Sequence, residues 1–287
     1  MRVQSASYRG IAMKKFIGLC PGTHLALLAH IGTVLTLAVG PLSGSASAEL
    51  LVPISSSDTI VTTSIDDSVF GSFNIGFAFP FYGSAGETTV NISSNGNLQF
   101  GTFYSQYSNQ AFPDSGFAQI APFWDDLELP PGDLRYNNST PGQFVAIWNG
   151  VKHFSSSIAS LVTCQVILLD TSNSFGRPAG TIIFSYDTIG SGNSPTIGLN
   201  KGDGSTAATL YPLVGSADGS LTNDQAMSLG GHSFAFTPDG NGNYTVSDYT
   251  PATVPEIDPA TGSSALSLVA GVLAMIEQRR RRATLVA

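Results

Sequence analysis

The chain is poor in cysteine, in positive charge away from its ends, and in reaction motifs. Of two cysteines in 287 residues, Cys20 falls in a segment expected to be removed, which leaves Cys164 alone. That excludes a disulfide framework and a cysteine-based metal site. Within Leu161-Val-Thr-Cys-Gln-Val-Ile-Leu-Leu the remaining thiol reads as a buried strand residue. Charged residues make up only 11%. Between Glu49 and Asp258 four basic residues, Arg135, Lys152, Arg177 and Lys201, stand against 19 acids, a net charge of −15. Such a surface repels phosphates and anionic lipid, which excludes nucleic-acid binding. There is no Gly-x-Ser-x-Gly elbow, His-Glu-x-x-His helix or Gly-x-x-x-x-Gly-Lys loop. His153 and His232 are the only histidines after residue 48, and nothing beside either marks a base held by a third group. No enzyme is expected.

Plentiful are glycine, 31, and proline, 16, which suit short strands and many turns. The central stretch is organised by a period-two run, Phe73, Ile75, Phe77, Phe79 and Phe81, which places alternate side chains on one face of a sheet. A hairpin follows, Val90 and Ile92, then Asn95-Gly96, then Leu98 and Phe100; the Asn-Gly turn wants φ > 0 at both central positions. Candidate strands lie at 59–65, 73–81, 88–93, 97–101, 118–124, 143–149, 161–169, 181–186, 195–199, 208–214, 232–237 and 243–247. Within them Val162, Cys164, Val166 and Leu168 alternate, as do Ile182, Phe184 and Tyr186. The expected fold is all-β: one antiparallel β-sandwich, jelly-roll-like, over residues 49–249. Asp239-Gly-Asn-Gly-Asn243 reads as a hairpin turn, because Tyr244 and Thr250 stand where an EF-hand needs Gly and Glu.

The motifs Phe-Pro-Phe-Tyr-Gly (79–83), Val90-x-Ile-Ser-Ser-Asn-Gly-x-Leu-x-Phe100 and Ile120-Ala-Pro-Phe-Trp-Asp-Asp126 resemble the extracellular domain of nidogen type and its bacterial relatives. Phe144-Val-Ala-Ile-Trp148-Asn-Gly and the Gly180–Tyr186 strand extend the likeness, which covers about residues 70–200. The resemblance implies a β-sandwich of secreted and matrix-associated proteins, with no catalytic assignment.

The two ends carry different signals. Residues 1–48 read as a signal peptide: Lys14 and Lys15, an apolar Leu25–Val39 stretch, and a small-residue cleavage site at Ala46-Ser47-Ala48. Met13-Lys-Lys offers an alternative start. At the other end, 250–264 is a proline-stiffened linker. Ala265–Ile276 is a 12-residue apolar run, about 18 Å long as a helix against a hydrocarbon core of about 30 Å. Arg279, Arg280, Arg281 and Arg282 follow and are expected to stay cytoplasmic. With Val254-Pro255-Glu256 as its motif, this 250–287 tail resembles the PEP-CTERM sorting signal of Gram-negative bacteria. That resemblance implies transient inner-membrane insertion, then cutting by an exosortase-type protease and delivery to the cell surface or a polysaccharide matrix, after signal peptidase has removed the leader.

Candidate binding groups are few. The pairs Asp66-Asp67 and Asp125-Asp126 are the only adjacent carboxylates. Neighbours on a strand point to opposite faces, so neither pair can flank a glycosidic bond alone. Asp125 and Asp126 are candidate Ca²⁺ ligands, hard oxygens gathered at a loop; the alternative is a turn that receives backbone N–H groups after Trp124. Tyr104, Tyr107 and Phe112, in a Gly/Ser/Gln-rich loop, are candidate sugar-stacking groups or that loop's own small core. Three readings follow: an exported structural or adhesive protein, a carbohydrate-binding module with a Ca²⁺ site, and a glycoside hydrolase of unfamiliar type.

Overall fold

A computed structural model describes residues 49–154, 156, 160–249 and 275–276. The cleavage site at Ala46 and Ala48, the motif Val254-Pro255-Glu256 and the cluster Arg279–Arg282 lie outside the described residues. Among the described residues no helix is long and apolar enough to cross a membrane.

Fourteen strands form two antiparallel sheets. The first contains β1 (Thr59–Thr62), β7 (Asp133–Asn137), β8 (Gln143–His153), β9 (Leu161–Leu169), β10 (Ile182–Ile189), β13 (Ser233–Pro238) and β14 (Tyr244–Asp248) in that spatial order, with β6 (Leu127–Glu128) also on β8. The second runs β12 (Ala207–Thr209), β11 (Thr196–Asn200), β5 (Gln119–Trp124), β4 (Asn97–Gln99), β3 (Glu87–Ser93), β2 (Val69–Phe79). β2–β5 and β7–β10 are meanders whose neighbours are consecutive in sequence, and the chain passes from one sheet to the other between them.

Alternation decides which side chains meet in the middle. Phe144, Ala146 and Trp148 of β8, Val162 to Leu168 of β9 in steps of two, and Ile182, Phe184 and Tyr186 of β10 face Ile75, Val90, Ile92, Leu98, Ile120, Ile197 and Leu199 of the other sheet in one buried cluster. Three aromatic side chains also place their polar ends across the gap. Trp148 Nε1 donates to the Ser93 carbonyl (2.9 Å), Tyr186 Oη to Pro122 (2.7 Å) and Tyr82 Oη to Leu199 (3.0 Å). Each of these large side chains is thus packed and satisfied at once.

Several expectations change. Phe81 leaves the strand: β2 ends at Phe79, and Pro80, which has no N–H to donate, leads into a 3₁₀ turn, Phe81–Gly83. The hairpin at Asn95-Gly96 has a three-residue loop, Ser94–Gly96, between paired Ser93 and Asn97. Only Gly96 has φ > 0 (+76°), as in a turn closed by a bulge, whereas a two-residue turn would need it at Asn95 too. The 208–214 strand stops at Thr209. Strands β6 and β7 and a short helix α1 (Asn223–Met227), held by a Thr222–Gln225 capping box, arise where no element was expected.

Both sheets are covered on their outer faces as well. Outside the first, Val145, Ile147, Ile167, Leu169, Ile183 and Ala235 are buried with Leu50, and Leu51, Val52, Phe175 and Tyr249 pack against them. Outside the second, the register sets four buried amides in one cross-strand row, Asn91, Gln99, Gln119 and Asn200. The loop 101–118 lies on this row. Asn91 Nδ2 donates to the Thr102 carbonyl. Gln99 exchanges two bonds with the Tyr104 backbone (2.7 and 2.8 Å), and Asn200 exchanges two with Asp114 (3.0 and 3.1 Å).

Candidate functional site

Asp66, Asp67 and Asp126 meet at one end of the sandwich, with one carboxylate oxygen from each inside a 4.8 Å circle. Four pieces of chain build the place. An antiparallel bridge between Ile65 and Leu129 (3.0 and 2.8 Å) lays the 65–68 turn against the segment after β5. Asp67 sits at φ +46°, and its Oδ1 accepts from Asn95 Nδ2 (2.9 Å), while Asn95 Oδ1 accepts from Leu127 N (3.1 Å). The buried turn residue Asn95 therefore staples both acid-bearing segments together. Phe154 N donates to the Asp126 carbonyl (2.7 Å), bringing in the end of β8. Trp124 Nε1 donates to the Gln106 carbonyl (3.2 Å), which sets Tyr107 beside the acids. Asp66, Asp67, Asp126, Tyr107 and Phe154 together line a cleft of 300 Å³.

Burial, then the charge of Asp67, pushes the Asp66 carboxyl above its ordinary range; burial, then Asp67 and Asp66, does the same to Asp126. Among the described residues no ion pair reaches any of the three: Arg135 pairs with Asp133, Lys152 with Glu128 and Lys201 with Asp203, and Arg177 lies over the Tyr249 ring at 5.0 Å. Three unpaired carboxylates at this spacing can take a hard divalent cation or share a proton.

Asp125 has a separate role. It is 3% exposed, its Oδ2 accepts from Ser194 N (2.9 Å) and its Oδ1 from Asp126 N (3.0 Å). His153 Nε2 lies 3.5 Å from Oδ1, and its Nδ1 is 2.8 Å from the Phe154 carbonyl. With an acceptor at each nitrogen the imidazole favours its charged form, and the Asp125 hydrogen bond above all raises its pKa to about 9. Asp125 is thus the turn acid that receives backbone N–H groups, and the groups that join Asp126 are Asp66 and Asp67. No spacing rule in the sequence links residues 66 and 126; the link is the Ile65–Leu129 bridge.

The aromatic trio divides. Tyr104 and Tyr107 are exposed, Tyr104 leaning on Phe117 with ring centres 4.9 Å apart. Phe112 is 3% exposed and stacks on Trp124 at 5.9 Å. It belongs to the loop's own core and is withdrawn from the sugar-stacking set. Phe103 and Phe154 are exposed in its place.

Residues 43–238 match the profile of the family described as NIDO related. The chain belongs to the NIDO-related family. That match includes every residue of the acid cleft and of the His153–Asp125 pair. Residues 254–284, directly after the NIDO-related domain, match the VPEID-CTERM protein sorting domain, which opens here on Val254-Pro255-Glu256-Ile257-Asp258. Similar curated proteins include alpha-tectorin of Mus musculus, 27% identical over 258 residues, and alpha-tectorin of Homo sapiens, 26% identical over 258. In each case the match takes in 75% of this chain, and the chain spans only 11% of the relative's length. No solved structure gives a significant match. A NIDO-related extracellular domain joined to a sorting domain makes this an exported, cell-surface protein.

Proposed function

We propose that this protein is a non-catalytic module displayed in surface-associated polysaccharide, with a structural or adhesive role. The observation that carries the reading is the joining, on one chain, of the NIDO-related domain to a sorting domain of the VPEID-CTERM type. Signal peptidase cuts after Ala48, and the apolar run 265–276 then holds the chain in the inner membrane. That run is too short for a lasting anchor, about 18 Å against about 30 Å. An exosortase-type protease cuts near Val254-Pro255-Glu256 and releases the domain to the surface. Mass spectrometry of the protein recovered from the cell surface should find no Arg279–Arg282 end; an intact, embedded end would overturn the reading. Loss of the gene should weaken cohesion of the extracellular material.

A second reading is favoured by the convergence of Asp66, Asp67 and Asp126 beside Tyr107. Here the cleft takes a Ca²⁺ ion and a sugar that stacks on the exposed ring. Millimolar Ca²⁺ should then raise the melting temperature over that in chelator, and Asp126→Asn should abolish the rise. Glycan-array signal should fall with Tyr107→Ala. Equal melting with and without Ca²⁺ removes the metal from this reading. Release of free sugar, lost in Asp126→Asn, would replace both readings with a hydrolase.

A further inference from the structure

We propose that a polar slot across the outer face of the first sheet is the binding site for this chain's own processed amino terminus, and that Glu49–Val52 seat there only after the leader is cut. The inference rests on the leader reading, with its cut between Ala48 and Glu49.

The slot is a row set by strand register. Gln165 of β9 pairs with Ser185 of β10, and Ser185 pairs with Ser233 of β13. Gln165 and Ser185 are fully buried in a face otherwise made of Val, Ile, Leu and Ala. A buried amide in such a face is unfavourable unless it is hydrogen-bonded. Here its partners come from the segment beyond the leader: the Gln165 amide oxygen accepts from Leu51 N (2.8 Å) and Val52 N (3.1 Å). Leu51 N also lies 3.3 Å from Ser185 Oγ. Leu50, 5% exposed, packs in one cluster with Val145, Ile147, Ile167 and Leu169. Backbone fills the polar row and the leucine extends the apolar surface. The row therefore fits an extended peptide.

The seated segment and its own cleavage exclude each other. Peptide-binding clefts grip an extended backbone and its alternate side chains, and proteases cut where the chain is exposed and loose. With Leu50 buried two residues past the scissile bond and Leu51 N held by Gln165, that stretch cannot be drawn into an active site. Cutting must come first. It also creates an ammonium group at Glu49, in a corner rich in acid. Glu49 lines a 440 Å³ cavity with Asp248 and a second cavity with Asp187. Burial, then the charge of Glu49, pushes the Asp187 carboxyl upward. The new positive charge is complementary to that corner. Seating also fixes the exit toward the sorting domain: Tyr249 lines the same cavity as Glu49 and Leu51, and its N–H donates to the Ser233 carbonyl at 2.8 Å.

The test compares full-length protein from cells in its cut form with a form kept uncut by Ala46→Arg and Ala48→Arg. Amide hydrogen exchange at Leu51 and Val52 should be about 100-fold slower in the cut form. A third protein, cut normally but carrying Leu50→Asp, controls for misfolding. It should keep the fluorescence of Trp124 and Trp148 and lose the protection. Amino-terminal sequencing is done first: a mature chain that does not begin at Glu49 defeats the leader reading itself. If the chain begins at Glu49 and both forms are equally protected, the ordering proposed here is wrong. Protection that rises with protein concentration would assign the slot to a second copy and overturn the placement of the chain's own terminus.

Discussion

The two outer faces of the sandwich are both covered, by opposite chemistries. Over the first sheet the cover is apolar: Leu50 and its neighbours spread on aliphatic side chains, with one short polar row to receive backbone. Over the second, the cover is a set of directional bonds from Asn91, Gln99 and Asn200 to the loop 101–118. Hydrophobic burial has no preferred direction and tolerates small shifts. A satisfied amide row allows one position of the loop and penalises every other, because each displaced group is left buried without a partner. The first cover can leave and return as a unit, while the second fixes where Tyr104 and Tyr107 stand.

Exchanging the two chemistries is the severest way to break that contrast. Ile167→Gln places an amide with no partner on the apolar face and should lower stability by roughly 3–5 kcal/mol in denaturant unfolding. The reverse change, Gln99→Leu, orphans the N–H and carbonyl of Tyr104 and should cost about 2–3 kcal/mol. It should also expose the loop 101–118 to protease. If Gln99→Leu is neutral, the amide row is not what holds the loop.

A smaller effect is expected where the sheets meet, at His153 and Asp125. The folded pKa of His153, about 9, lies above the ordinary value near 6.5. Its contribution is therefore complete below about pH 6.5 and is lost as pH rises through about 9. His153→Gln should remove that slope from melting temperatures measured at pH 6, 7.5 and 9.5. The smallest effect sharpens the contrast within the amide row. Neither amide atom of Gln119 has a partner, so Gln119→Met should be neutral or stabilising by up to about 1 kcal/mol. A loss like that of Gln99→Leu would mean that Gln119 is bonded after all.

What could be read from the residues follows from the range of each interaction. Val162, Cys164, Val166 and Leu168 alternate because one face of β9 meets the opposite sheet, and that pattern is local. The Asn95-Gly96 turn was legible as a turn; its three-residue form was not, because the buried Asn95 side chain is committed to Asp67 and Leu127. Strand β7 carries Asp, Arg and Asn among its five residues and follows Pro130-Pro131-Gly132, so neither composition nor alternation marks it. The Thr222-Asn-Asp-Gln225 capping box was visible as a motif and too short to call up a helix by periodicity. At the acid cleft the sequence offered adjacent pairs, and the fold joined members of different pairs. A 60-residue separation closed by one β-bridge leaves no local trace.

The meeting of Glu49 and Tyr249 at one cavity bears on how such a domain travels between proteins. A folded unit whose two ends emerge side by side can be spliced into a surface loop of another chain with little loop-closure entropy. Its host need not be rebuilt to span the insert. The same architecture can therefore hang from a membrane by one tail or sit as a bead within a much longer polypeptide.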